Sequence, residues 1–99
     1  MPKLAGMKFA ICNEIFQGWN IEDILLYAAK AGYAGVEIAP FTLANSVTDI
    51  SAGARLKIRE AAARHGVEIA GVHWVLWKPE GLYMNHPDGA LRARTAQYF

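Results

Sequence analysis

A single cysteine, Cys12, stands in a chain of 99 residues, so no disulfide can close within it, as suits a reducing compartment. No apolar stretch approaches the ~20 residues that span a bilayer. Residues 1–6 are too short and too weakly apolar for a secretory signal and read as a short leader, with Met7 an alternative start. Neither sign of charge is in excess: ten Lys and Arg meet nine Asp and Glu, a net charge of +1. That balance removes the electrostatic case for a nucleic-acid or membrane partner. A cytoplasmic protein is the expectation.

What is present is apolar and periodic. Hydrophobic residues make up 54% of the chain, enough for one compact core. Strands are predicted at about 7–12, 35–39 and 67–75, and helices at about 21–31, 52–65 and 89–99. Asn20 precedes an apolar stripe of Ile21, Ile24, Leu25 and Ala28, with Glu22 and Asp23 in the first turn, which places a helix start there. Ser51 (or Asp49) caps the second helix, Asp88 the third, and Gly32 and Gly66 stand where helices end. The basic residues Arg55, Lys57, Arg59 and Arg64 read as a solvated face. Gly-Val-Glu-Ile-Ala occurs at 35–39 and again at 66–70. Superposing the helix-ending glycines instead sets Glu37 opposite Gly71, so the repeat is the β–α unit, about 34 residues from Gly32 to Gly66.

Strand–helix alternation implies an α/β fold with parallel strands in the order 1-2-3. Residues 7–99 begin three such units and stop within a helix, so the expectation is the opening part of a larger (β/α) enzyme. By alternation, Val36 and Ile38 face the helices, while Glu37 and Ala39 face the uncovered side. In strand three, Ala70, Val72 and Trp74 share the helix face and Ile69, Gly71 and His73 the other. In strand one, Phe9 and Ile11 face the helices, leaving Cys12 and Glu14 inward. Unpaired edges and an apolar open face including Ile69 predict association or poor solubility.

Four segments carry a resemblance: Ala10-Ile-Cys-Asn-Glu-Ile-Phe16, Gly32-Tyr-Ala-Gly-Val-Glu-Ile-Ala-Pro-Phe-Thr-Leu43, Gly71-Val-His-Trp74 and Lys78-Pro-Glu-Gly-Leu-Tyr83. In this order the chain from Met7 onward resembles the N-terminal part of a sugar phosphate isomerase/epimerase of the xylose-isomerase-like TIM-barrel superfamily. The resemblance implies the first three β–α units of a (β/α)8 barrel, left incomplete, since a barrel takes ~250 residues. It also implies a proton moved between adjacent carbons of a sugar or sugar phosphate through a metal-stabilised enediolate. The divalent metal (Mn, Mg, Co or Zn) would draw its ligands from later strands. The fragment is then inactive alone and needs the missing C-terminal barrel segment or self-association. A non-catalytic oligomerising α/β module and an apurinic-endonuclease-like metal-dependent barrel are the alternatives.

Barrel chemistry sits at the C-terminal ends of the strands, which selects the candidate substrate contacts: His73, Glu37, Glu14, Asn13, Trp77 and Lys78. His73 is the foremost, as an imidazole exchanges protons near neutral pH. A histidine at the end of this strand ligates metal in the related endonucleases, and His73 is equally a satisfied core residue. Glu37 either orients substrate or pairs with an arginine from a further strand. Asn13 and Glu14 line the pocket mouth or merely end the first strand. Trp77 and Trp19 stand on loops at the site end, as do Lys78, Tyr83, Asn85 and His86, whose other role is an ordinary solvated loop. No catalytic residue is assigned, and Cys12 reads as packing.

Overall fold

The computed structural model describes residues 6–99, and residues 1–5 of the expected leader lie outside the described residues. Three parallel strands, β1 (Ala10–Cys12), β2 (Gly35–Ile38) and β3 (Glu68–Val72), form one sheet in the order β1-β2-β3. Helix α1 (Ile21–Lys30) joins β1 to β2, α2 (Ala52–His65) joins β2 to β3, and α3 (Gly89–Tyr98) follows β3. The sheet is open, not closed into a barrel. No helix among the described residues is long and apolar enough to cross a membrane.

The helices form where the side chains prescribe. Asn20 Oδ1 accepts the Asp23 amide at 2.9 Å and Ser51 Oγ accepts the Ala54 amide at 3.0 Å, while Asp88 Oδ1 accepts the Ala90 amide at 2.9 Å. Each side chain thus satisfies an amide that the first helical turn leaves free. Gly66 ends α2 at φ 72°, a left-handed conformation in which glycine carries no Cβ penalty.

The core lies between the sheet and the first two helices. Ile24, Leu25 and Ala28 of α1 and Ala61 and Ala62 of α2 close over Val36, Ile38 and Val67. Ile11 packs against the rim of this core, whereas Phe9, expected beside it, is 42% exposed and precedes the strand. Among the described residues only β2 has neighbours on both edges and only β2 is a largely buried strand; every residue of β3 is exposed.

Strand three departs from simple alternation. Gly35 pairs with Glu68 and Val36 with Ile69, but Glu37 pairs with Gly71 and Ile38 with Val72, so the register shifts by one residue at Ala70. Such a bulge reverses the parity on one side of it. Ile69 therefore stays with Val36 on the helix side instead of the open face, while Val72 also remains on the helix side beside Ile38. Gly71 and His73 keep their expected side with Glu37. The last ladder bond runs from the His73 amide to the Ile38 carbonyl at 2.9 Å. Trp74 then adopts φ 55°, the one positive φ outside glycine among the described residues. The chain turns there, so β3 stops short of the predicted residue 75, and Trp74 is 52% exposed rather than core.

Candidate functional site

The C-terminal ends of the three strands bring one group of side chains together on the open face. Glu14 comes from a 3-10 turn, Asn13–Ile15, directly after β1; Glu37 comes from β2, and His73 follows β3. Glu37 Oε1 lies 3.3 Å from His73 Nδ1, and Glu14 Oε2 lies 3.9 Å from His73 Nε2. The imidazole is thus bracketed by two carboxylates, one at each ring nitrogen. All three side chains are part-exposed, at 39 to 40%. Glu14 Oε2 is itself buried and takes no hydrogen bond among the described residues.

Cys12 sits across from Glu37 in the β1–β2 register. Burial pushes its thiol pKa up, the hydrogen bond from the Glu14 amide partly offsets this, and the Glu37 and Glu14 carboxylates add to the rise. A thiol so placed is a poor nucleophile at neutral pH.

Asn13 is fully engaged in structure. It is 3% exposed, its Oδ1 accepts the Ala39 amide at 2.8 Å, and its Nδ2 donates to Thr42 Oγ1 at 2.8 Å. The Thr42 hydroxyl donates in turn to the Ala39 carbonyl at 2.7 Å. These bonds tie the end of β1 to the loop after β2 and hold Glu14 at its distance from His73.

An aromatic wall continues the site outward. His73 stacks on Trp74 with centroids 5.2 Å apart, and Trp74 stacks on Trp77 at 4.8 Å. Phe41 reaches Trp74 and Trp77 at 6.3 and 6.4 Å. Trp77, 62% exposed, is thereby linked to His73 through Trp74. A cleft of ≈ 380 Å³ adjoins the group, lined by Asn13, Glu14, Phe16, Trp19, Phe41 and Thr42 among others. Trp19 packs with Phe16 and Tyr27 in a second aromatic cluster. Lys78 is exposed and makes no ion pair among the described residues. Tyr83 and His86 lie against one another, and their loop is fastened to α3 by the Tyr83 amide on Thr95 Oγ1 and by Arg92 on the His86 carbonyl.

A divalent ion does not fit this arrangement as a site complete in itself. The two carboxylates approach opposite ring nitrogens, so a single ion cannot take Glu14, Glu37 and His73 together. Among the described residues no group of three or more His, Cys, Asp or Glu is disposed to hold a metal.

Two members of the wall escape sequence reasoning. Parity placed Trp74 in the core, and Phe41 carried no signal apart from the resemblance. The glycine inside the third strand, Gly71, was the available warning, since an isolated strand glycine often marks a bulge. Comparison with protein-family models, with curated proteins and with solved structures finds no match.

Proposed function

We propose that the chain supplies the first three β–α units of a sugar or sugar-phosphate isomerase or epimerase, which moves a proton between adjacent carbons. The observation that carries this is the convergence of Glu14, Glu37 and His73 at the C-terminal ends of three parallel strands, on the face the helices leave open. Carboxylates accept hydrogen bonds from vicinal hydroxyls, and an imidazole can donate or accept one. Exposed indoles offer apolar faces to the C–H side of a sugar ring. In this reading Glu37 and Glu14 hold hydroxyls, His73 orients the substrate between them, Trp77 packs on it, and Lys78 stands at the rim. Asn13 positions Glu14. The divalent ion of such a reaction (Mn, Mg, Co or Zn) polarises the substrate carbonyl when bound, and its ligands belong to further polypeptide. The proton-transfer carboxylates belong there too, so the 99-residue chain is inactive alone.

The test is exchange of solvent deuterium into the carbon beside the carbonyl, followed by NMR on a panel of aldoses, ketoses and their phosphates with Mn²⁺ or Mg²⁺. No exchange is expected with the isolated chain, and exchange is expected with a polypeptide that continues it through further β–α units. A reading frame that stops at Phe99 and is followed by unrelated sequence would sink the proposal.

A second reading, a non-catalytic module that self-associates, has one observation in its favour. Ile69 and Val72 are 40% and 58% exposed on the helix side of the edge strand β3.

A further inference from the structure

We infer that the chain associates head to tail, with strand β1 of a second copy added in parallel to the free edge of β3. This deepens the second reading, self-association, and rests on it and not on the isomerase. Both outer edges are bare among the described residues, since β1 and β3 each pair only with β2. Each edge also carries a charge without a partner. Lys8, just before β1, and Glu68, the first residue of β3, are exposed and make no ion pair among the described residues. Their signs are opposite. Exposed apolar side chains stand beside them: Phe9 follows Lys8, and Ile69 and Val72 follow Glu68.

The register that serves the inner edge of β3 also fits its outer edge. On the inner edge Gly35, Val36 and Ile38 meet Glu68, Ile69 and Val72, and the bulge at Ala70 takes up the extra residue. Residues Lys8 to Ile11 of a second copy, laid down in the same way, set Lys8 beside Glu68, Phe9 beside Ile69 and Ile11 beside Val72. Alternation puts Phe9 with Ile11 on the helix side, where Ile69 and Val72 stand, and Lys8 on the open side with Glu68. Phe9 then covers the apolar groove that Ile58, Ile69 and Val72 line, and the two charges pair. The backbone agrees. The Phe9 carbonyl is turned inward to the Ala34 and Gly35 amides, so the groups of Lys8 and Ala10 face the free edge. The Glu68 and His73 amides are likewise turned inward, to the Ala34 and Ile38 carbonyls, so those of Ile69 and Val72 face outward. A two-fold pairing of β3 with itself fits less well. With Ile69 opposite Val72 it brings Glu68 to the His73 of the second copy, which two carboxylates already flank. A head-to-tail contact leaves one bare edge of each kind, so growth continues unless the rotation closes a ring.

The test is sedimentation velocity on the 99-residue chain at low salt. Lys8→Glu and Glu68→Lys each set like charges opposite one another, and each is expected to raise the concentration of half-association about fivefold. Mixing the two variants restores association, because each then offers the other opposite charges at both edges. A two-fold contact through β3 would ignore Lys8→Glu. A second pair of variants closes one edge each: Phe9→Lys at β1, and Ile69→Lys with Val72→Lys at β3. Alone, each should stay monomeric; mixed, they should form one-to-one pairs that grow no further. Growth of the Phe9→Lys chain by itself overturns the inference, and so does an edge-closed mixture that remains monomeric. If circular dichroism shows that either edge-closed chain fails to fold, the exposed charge pair decides by itself, and a mixture of charge variants without rescue overturns the inference. The inference and the reading beneath it fail separately. Association indifferent to all these substitutions leaves self-association standing and removes this contact, whereas an unaltered chain that is monomeric at every concentration removes both.

Discussion

Asn13 shows how much a single buried amide can organise. Its Oδ1 is the acceptor of the Ala39 amide, so Asn13→Ala strands a buried N–H and should cost about 1–3 kcal/mol, read as a lower denaturant midpoint with unchanged slope. Glu14 loses its anchor in the same variant, and the His73 environment should change in the NMR spectrum. Cys12 yields a pH prediction. Its thiol pKa is raised chiefly by burial, so alkylation by iodoacetamide should be slow at neutral pH and should accelerate only above the pH at which a free cysteine reacts. The linked stability follows the same sign. The folded state holds the thiol proton more firmly than the unfolded state, so this contribution is complete below the unfolded pKa and is lost as pH rises through the folded one. Alkylation at neutral pH as fast as that of an unstructured cysteine peptide would show that the thiol is not so held.

At the scale of elements, two glycines contrast. A Cβ added at Gly35 would stand 3.0 Å from the Glu68 carbonyl oxygen and 3.5 Å from Ala70 Cβ, at the start of the β2–β3 ladder. Backbone on that side cannot simply rotate away, so Gly35→Ala should cost about 1–3 kcal/mol through overpacking. Gly66 has nothing within 4 Å of its would-be Cβ, but its φ is 72°. Gly66→Ala should therefore cost about 1–2 kcal/mol from backbone conformation alone. Thermal melts separate the two mechanisms when combined with Gly→Asn at the same positions. Asparagine tolerates the left-handed region and should recover part of the loss at residue 66, but none at residue 35. The helices and their caps were legible beforehand because capping is local, written in a side chain two or three residues from its partner amide. The bulge at Ala70 was not, since it records how β3 meets β2 and leaves only the ambiguous trace of Gly71.

The whole molecule is expanded. Its radius of gyration is 15.6 Å, against about 13 Å for a compact domain of this size. One cause is α3, which attaches through a few bonds, such as Val47 N–H to Tyr98 Oη at 2.9 Å, and does not cover β3. Beside Ile69 and Val72 runs an apolar groove of ≈ 260 Å³ that includes Ile38, Leu43, Val47, Ile50 and Ile58. With both outer strand edges unpaired among the described residues as well, light scattering should report a mass that grows with concentration. Ile69→Lys with Val72→Lys should reduce that growth while leaving the core between α1, α2 and β2 intact. A strictly monomeric chain at high concentration would count against the second reading above. Part of the site was legible for a similar reason to the fold: alternation along each strand put Glu37 and His73 on one face, and the pairing of Glu37 with Gly71 keeps them there. The stacking of Trp74 and Trp77 was not legible, because it depends on a left-handed turn at a residue type that seldom adopts one.

Sequence alone determined the order of strands and helices, the helix starts and stops, and the side of the sheet on which Glu37 and His73 lie. These follow from hydrophobic period, capping chemistry and alternation, all interactions between near neighbours along the chain. Tertiary structure alone decided that Glu14 and Glu37 take opposite nitrogens of one imidazole, that Asn13 is a strut, and that Trp74 leaves the core for an exposed stack. Each depends on the offset between separate strands, a distance set by packing across the sheet.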